Sequence, residues 1–159
     1  MANKNNALNI NIKHTKKLTY TINGDANTTL EFDPSDLGIL VRLQEADPII
    51  TQAVDELTTL QDSIEDYTDD AIINQLSEKL MATDKIIREQ LDYVFDTNMS
   101  EVCAPTGTML DPVDGEMRFL YLIDVFSEVY DEGLHSAMQK RAATIKKHTD
   151  KYTKDTKNV

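Results

Sequence analysis

One cysteine, no tryptophan, three scattered histidines and five unclustered glycines leave this 159-residue chain short of most catalytic equipment. A single Cys103 excludes a disulfide within one chain and suits a reducing compartment. With His14, His135 and His148 standing singly, no zinc-ligand spacing is present. No glycine-rich turn opens a helix to cradle phosphate, and no G-x-S-x-G nucleophile elbow occurs. Asp96-Thr97-Asn98-Met99-Ser100 begins like a calcium loop, but Glu101 stands where glycine is needed and Gly107 where glutamate is needed. No apolar run is long enough for a membrane span, and no secretory leader is visible. The expectation is a non-enzymatic protein with no cofactor, no metal, and neither nucleic acid nor membrane as partner.

What the chain has in abundance is acid. The formal net charge is −12, unevenly laid out. Residues 1–30 carry +3, residues 31–132 carry −20, and residues 133–159 carry +5. A body this acidic repels nucleic acid and anionic membranes. The basic C-terminal run reads as a solvated tail or as a partner for the acidic body.

Periodicity places the elements. Leu8, Ile10 and Ile12 alternate, and so do Leu18, Tyr20 and Ile22, so Leu8–Lys13 and Lys17–Ile22 read as a β-hairpin turning at His14-Thr15-Lys16. Asn23-Gly24-Asp25 is a further turn, and Thr28–Phe32 suits a third strand. Asp-Pro then recurs at residues 33–34, 47–48 and 111–112, each pair a helix-start signal. It predicts helices over Pro34–Glu45 and Pro48–Asp66, then, after a third helix over Asp69–Phe95, a fourth from Pro112–Glu116 to about His148. Gly133 is expected to bend or end the fourth. The fold class is therefore α+β, mostly α: a small N-terminal β-hairpin or three-stranded sheet packed on a bundle of about four helices. Residues 1–6 are expected to be disordered, residues 7–148 to form one domain, and residues 149–159 to be a basic flexible tail.

Two stretches draw attention for binding. The loop Asp96–Gly115 is long for a compact domain and carries Met99, Val102, Cys103, Met109 and Leu110. It either covers the domain's own core or adapts to apolar partners. The fourth helix crowds Phe119, Leu120, Leu122, Ile123, Val125, Phe126, Val129 and Tyr130, a stripe wider than one core face needs. Met99, Val102, Met109, Leu110, Phe119 and Tyr130 are accordingly the candidate partner-binding residues. The bland reading of Cys103 is a small apolar loop residue, since no basic neighbour in sequence would lower its pKa.

Ile86–Phe95 ending in Val94-Phe95, the loop after it, the apolar helix Glu116–Tyr130 and the segment LEFDPSDLGILVRL over Leu30–Leu43 together resemble the tail assembly chaperones of long-tailed bacteriophages and prophages. The likeness spans about Thr28–Lys147 and is diffuse. It implies a chaperone working in the host cytoplasm, which binds the tape measure protein and the major tail protein (the tail-tube subunit) and can form a homo-oligomer. Two other roles fit the same features: a virion structural protein of the connector or neck, and an acidic inhibitor of a host defence protein.

Overall fold

The computed structural model describes residues 8–12 and 17–156. The N-terminus 1–6, the turn His14-Thr15-Lys16 and the last three residues of the expected tail lie outside the described residues. The protein is mostly α: among the described residues it has four helices and a small N-terminal antiparallel hairpin.

Of the three expected strands, the second and third form and pair, and the first does not. Residues 8–12 belong to no strand, and β1 (Leu18–Ile22) pairs instead with β2 (Asp25–Phe32). Asn23 and Gly24 both take positive φ, 54° and 73°, the conformation a two-residue hairpin turn demands and Asn-Gly accepts most readily. The local turn chemistry thus outweighed the longer connection. Tyr20 faces Leu30 across the ladder, and Leu30 and Phe32 are buried.

A single helix, α1 (Gly38–Asp62), replaces the first two expected helices. Asp33-Pro34 forms a turn before it, with the Asp33 carboxylate accepting from the Ser35 backbone at 2.9 Å. Just before the helix, Asp36 accepts from Gly38 N at 2.8 Å and from Arg42 at 2.7 Å. Pro48 lies inside the helix. An internal proline removes one backbone hydrogen bond and costs about 3 kcal/mol. The buried stripe Ile39, Ala46, Ile50, Ala53 and Leu57 crosses it without losing phase, so the packing on both sides offsets that cost.

Helix α2 (Asp70–Phe95) matches its expectation within a residue and is capped by Asp69, which accepts from Ala71 N. Its buried residues are Thr83, Ile87, Leu91, Val94 and Phe95. A short α3 (Met99–Cys103) and a minimal hairpin, β3 (Pro112–Val113) with β4 (Glu116–Met117), occupy the expected loop. Asp111-Pro112 therefore leads into a strand and not a helix. Asp114 and Gly115, both at positive φ, make that turn.

Helix α4 (Arg118–Thr156) runs 39 residues, through Gly133 and on past His148. Nothing between Leu134 and Thr156 is Gly or Pro, so no residue stops it. The side chains of Met138, Ala142 and Ile145 lie outside the described residues.

Five aromatic rings join the elements. Phe32 of β2 lies 5.6 Å from Phe126 and 5.4 Å from Tyr130 of α4, and Phe95 at the end of α2 lies 5.2 Å and 5.6 Å from the same two rings. Tyr20 stacks on Phe32 at 4.3 Å. Offset and tilted pairs at these separations add about 0.5–1.5 kcal/mol each beyond their buried area.

The end of α2 is fully accounted for. Its last four carbonyls have no partner within the helix. Asp96, in the left-handed conformation at φ 49°, turns the chain so that Thr97 N donates to Asp92 O and Asp96 N to Tyr93 O. Arg42 Nε donates to Val94 O at 2.9 Å, and the Tyr130 hydroxyl to Phe95 O at 3.2 Å. The hydroxyl of Tyr130 is held well above its ordinary pKa, chiefly by burial, so it stays the donor.

Gly133 explains why a helix carries glycine at mid-length. A Cβ there would fall inside contact distance of the Pro34 carbonyl, which is backbone and cannot swing away. Helix propensity alone has Gly133→Ala stabilising by about 1 kcal/mol. The packing reverses the sign: urea unfolding of Gly133→Ala is expected to show a loss of about 1–3 kcal/mol.

Candidate partner-binding site

The chain between α2 and α4 is built into the core by one face of α2. Asp84, Arg88 and Asp92 stand at four-residue steps and so share that face. Arg88 Nε donates to Asp84 at 2.9 Å. Its two terminal nitrogens donate to the carbonyls of Ser100 at 3.2 Å, Ala104 at 2.9 Å and Gly107 at 3.0 Å. The other Asp84 oxygen accepts from Met109 N at 2.7 Å. Asp92 accepts from Ser100 twice, from N at 2.7 Å and Oγ at 2.8 Å. Four-residue spacing from Asp84 alone would place Arg88 in a solvated surface ion pair. It is instead a fork of donors that satisfies a buried loop, a task the planar guanidinium suits and lysine does not.

The loop's far end is tied to α4. Thr108 donates from N and Oγ1 to Asp111, whose carboxyl is held below its ordinary pKa by those bonds. Arg118 N donates to Asp111 O at 2.8 Å and Phe119 N to Met109 O at 2.9 Å, so loop carbonyls receive the first donors of α4.

This arrangement corrects the sequence-based site. Met99 and Met109 are fully buried, and Phe119 and Tyr130 nearly so. Val102 and Leu110 are half-buried against the same cluster. The structure does bring the six residues near one another, but inward, as core. The physical reason is that Asp84, Arg88 and Asp92 satisfy the loop's backbone, which frees its apolar side chains to be buried without orphaned polar groups. Met109→Asp with Leu110→Asp accordingly acts on folding and is no test of binding.

Part of the exposed apolar surface lies on the flanks of α4, where it borders two grooves. Leu120, Tyr121 and Val125 are each 40% exposed, although Phe119, Leu122 and Phe126 beside them are buried. On one flank a groove of about 230 Å³ opens between α1 and α4. Leu43, Ile50 and Val54 of α1 and Leu120 and Ile123 of α4 line it over Leu91 and Val94, with Asp47 and Asp55 at its rim. On the other flank a groove of about 320 Å³ lies between β1 and α4, lined by Tyr20, Ile22, Tyr121, Val125 and Val129. The stripe on α4 that is too wide for one core face was the sequence signal for these grooves. The α1 residues gave none, since Leu43, Ile50 and Val54 look like ordinary core positions.

Cys103 is half-buried at the edge of the second groove, and burial, followed by the charge of Asp92, pushes its thiol up to about 11. Such a thiol is protonated at neutral pH and is a poor nucleophile. Among the described residues no group of three or more His, Cys, Asp or Glu is placed to hold a metal ion. Among them, too, no helix is long and apolar enough to cross a membrane.

Two measurements check this geometry. Arg88→Ala removes the donors of three loop carbonyls and the counter-charge of Asp84. Arg88 and Asp84 are 22% and 17% exposed, so solvent screens part of the ion pair and the hydrogen bonds dominate. The expected loss is about 2–3 kcal/mol in urea unfolding, with Arg88→Lys failing to restore it. Alkylation of Cys103 in the folded protein at pH 8 is expected to run about a hundredfold slower than in the unfolded chain, following the thiolate fraction.

No protein-family model matches the chain, and no curated protein or solved structure matches it either.

Proposed function

We propose that this protein is a non-enzymatic assembly chaperone that holds amphipathic helical segments of a partner in the groove between α1 and α4. The role implied by the resemblance is chaperoning of phage tail assembly in the host cytoplasm, with the tape measure protein and the major tail protein as partners. The observation that carries the reading is the groove itself. It has an apolar floor of Leu43, Ile50, Val54 and Ile123, a half-exposed Leu120 at its lip, and acids at its rim. A helix with an apolar face and basic shoulders would fit it, apolar side chains entering as anchors one turn apart. Single sites of this size bind weakly. Many copies along one long partner would add their contacts through effective concentration. The −20 charge of residues 31–132 would keep a heavily coated partner from aggregating.

The test is capture from cells co-expressing the chain with the tape measure and major tail proteins of its phage or prophage, at moderate salt. Retention of the tape measure protein by the wild type, weakened at least tenfold in Leu120→Asp with the helical circular-dichroism signal unchanged, is the expected result. Tenfold corresponds to about 1.4 kcal/mol, a modest demand for placing a charge at an apolar groove. Equal capture by both proteins would overturn the groove. Recovery of finished particles would indicate a connector or neck subunit. Salt-sensitive recovery of a basic host enzyme would indicate the acidic inhibitor.

A further inference from the structure

The second groove lies between β1 and α4, on the opposite flank of the helix. Residues 8–12 are exposed, and their large apolar side chains stand in water: Leu8 is 94%, Ile10 80% and Ile12 68% exposed. The alternation is that of a strand, with Asn9 and Asn11 on the opposite face and joined by a 3.2 Å hydrogen bond between their side chains. Such a segment is sticky on one face and polar on the other, and it belongs to no strand among the described residues. The same chain leaves β1 paired on one side only among the described residues, so one edge of the hairpin is open. The groove beside β1 is lined by Tyr20 and Ile22 of that strand and by Tyr121, Val125 and Val129 of α4.

The two features match in spacing and in charge. Alternate residues of a strand repeat at about 6.7 Å, and residues four apart on a helix repeat at about 6 Å. Three side chains from Leu8, Ile10 and Ile12 therefore keep step with the row Tyr121, Val125 and Val129 over its whole length. Residues 1–17 carry four Lys and no acid, whereas residues 121–132 of α4 carry four acids and no base. Approach of the segment to this face of α4 is therefore electrostatically favoured.

We propose that residues 8–12 of one copy add as a third strand to the open edge of β1 in a second copy, with Leu8, Ile10 and Ile12 filling the groove against α4. The single chain leaves the apolar segment and the apolar groove open at once, and reciprocal exchange between two copies closes both. The contact is self-complementary, as a two-fold dimer requires. The main-chain ladder supplies part of the binding and the alternate side chains supply the fit, as in other strand-addition complexes. This inference concerns the opposite flank of α4 from the proposed partner groove, so it stands or falls independently of that reading.

The test uses the full chain at tens of micromolar. Sedimentation is expected to give a dimer of the 18.0 kDa chain, and the triple variant Leu8→Ser, Ile10→Ser, Ile12→Ser a folded monomer with unchanged circular dichroism. A second preparation carries Ile10→Cys, Val125→Cys and Cys103→Ser, half of it tagged. Oxidation of the mixed copies is expected to yield disulfide-linked tagged–untagged pairs. A monomeric wild type, a triple variant that stays dimeric, or a cross-link formed within single chains would each overturn the proposal.

Discussion

The guanidinium of Arg88, gripped by Asp84 one turn before it, decides what the long connection after α2 becomes. Three loop carbonyls end on its terminal nitrogens, and the partner carboxylate takes the amide of Met109. A buried loop is expensive because each unpaired backbone group costs on the order of 1–3 kcal/mol. Here one side-chain pair and Asp92 remove most of that penalty. Met99, Ala104 and Met109 can then enter the core alongside Ile87 and Leu91. The ion pair itself contributes little. Its value is geometric, since it fixes where the chain re-emerges to start α4.

From that start the rest follows. Helix α4 leaves the loop with its first amides already paired and carries Phe126 and Tyr130 to the Phe95 ring at the end of α2. Phe32 closes the aromatic cluster from the hairpin side. Because Tyr130 also donates to the Phe95 carbonyl, the same residue contributes packing and a helix cap. Elements that meet at one junction leave both flanks of α4 to be covered by whatever lies beside them. Neither α1 nor β1 covers them fully, which is why Leu120, Tyr121 and Val125 remain half in water.

How much of this was legible in the sequence depends on whether the signal was local. Helix α2 was readable because its apolar stripe is carried by its own residues at three- and four-residue steps. The mostly helical α+β class was readable for the same reason. Asp33-Pro34, Asp47-Pro48 and Asp111-Pro112 look alike locally and meet three fates: a turn, a helix interior and a strand. Tertiary packing overrode the local preference at Pro48, where Ala46 and Ile50 hold the helix straight through. The hairpin through Asn23-Gly24 was legible from its turn residues, whereas the strand expected before it, over residues 8–12, did not form. The candidate site was half legible. The apolar content of the loop and the wide stripe on α4 were both visible, but which of them faced outward was not. That choice rests on Arg88 and Asp84, whose four-residue spacing is indistinguishable from a surface ion pair.

The central claim is that Met99, Ala104 and Met109 of the connection are core and that the flanks of α4 carry two open apolar grooves. Native-state hydrogen exchange on the backbone amides of Ser100 and Met109, which donate to Asp92 and Asp84, tests it most directly. If the connection is built as described, both amides exchange only with global unfolding, with the same free energy as the amides of Ile87 and Leu91. Exchange at the rate of an unstructured loop would contradict the account and return Met99 and Met109 to the surface.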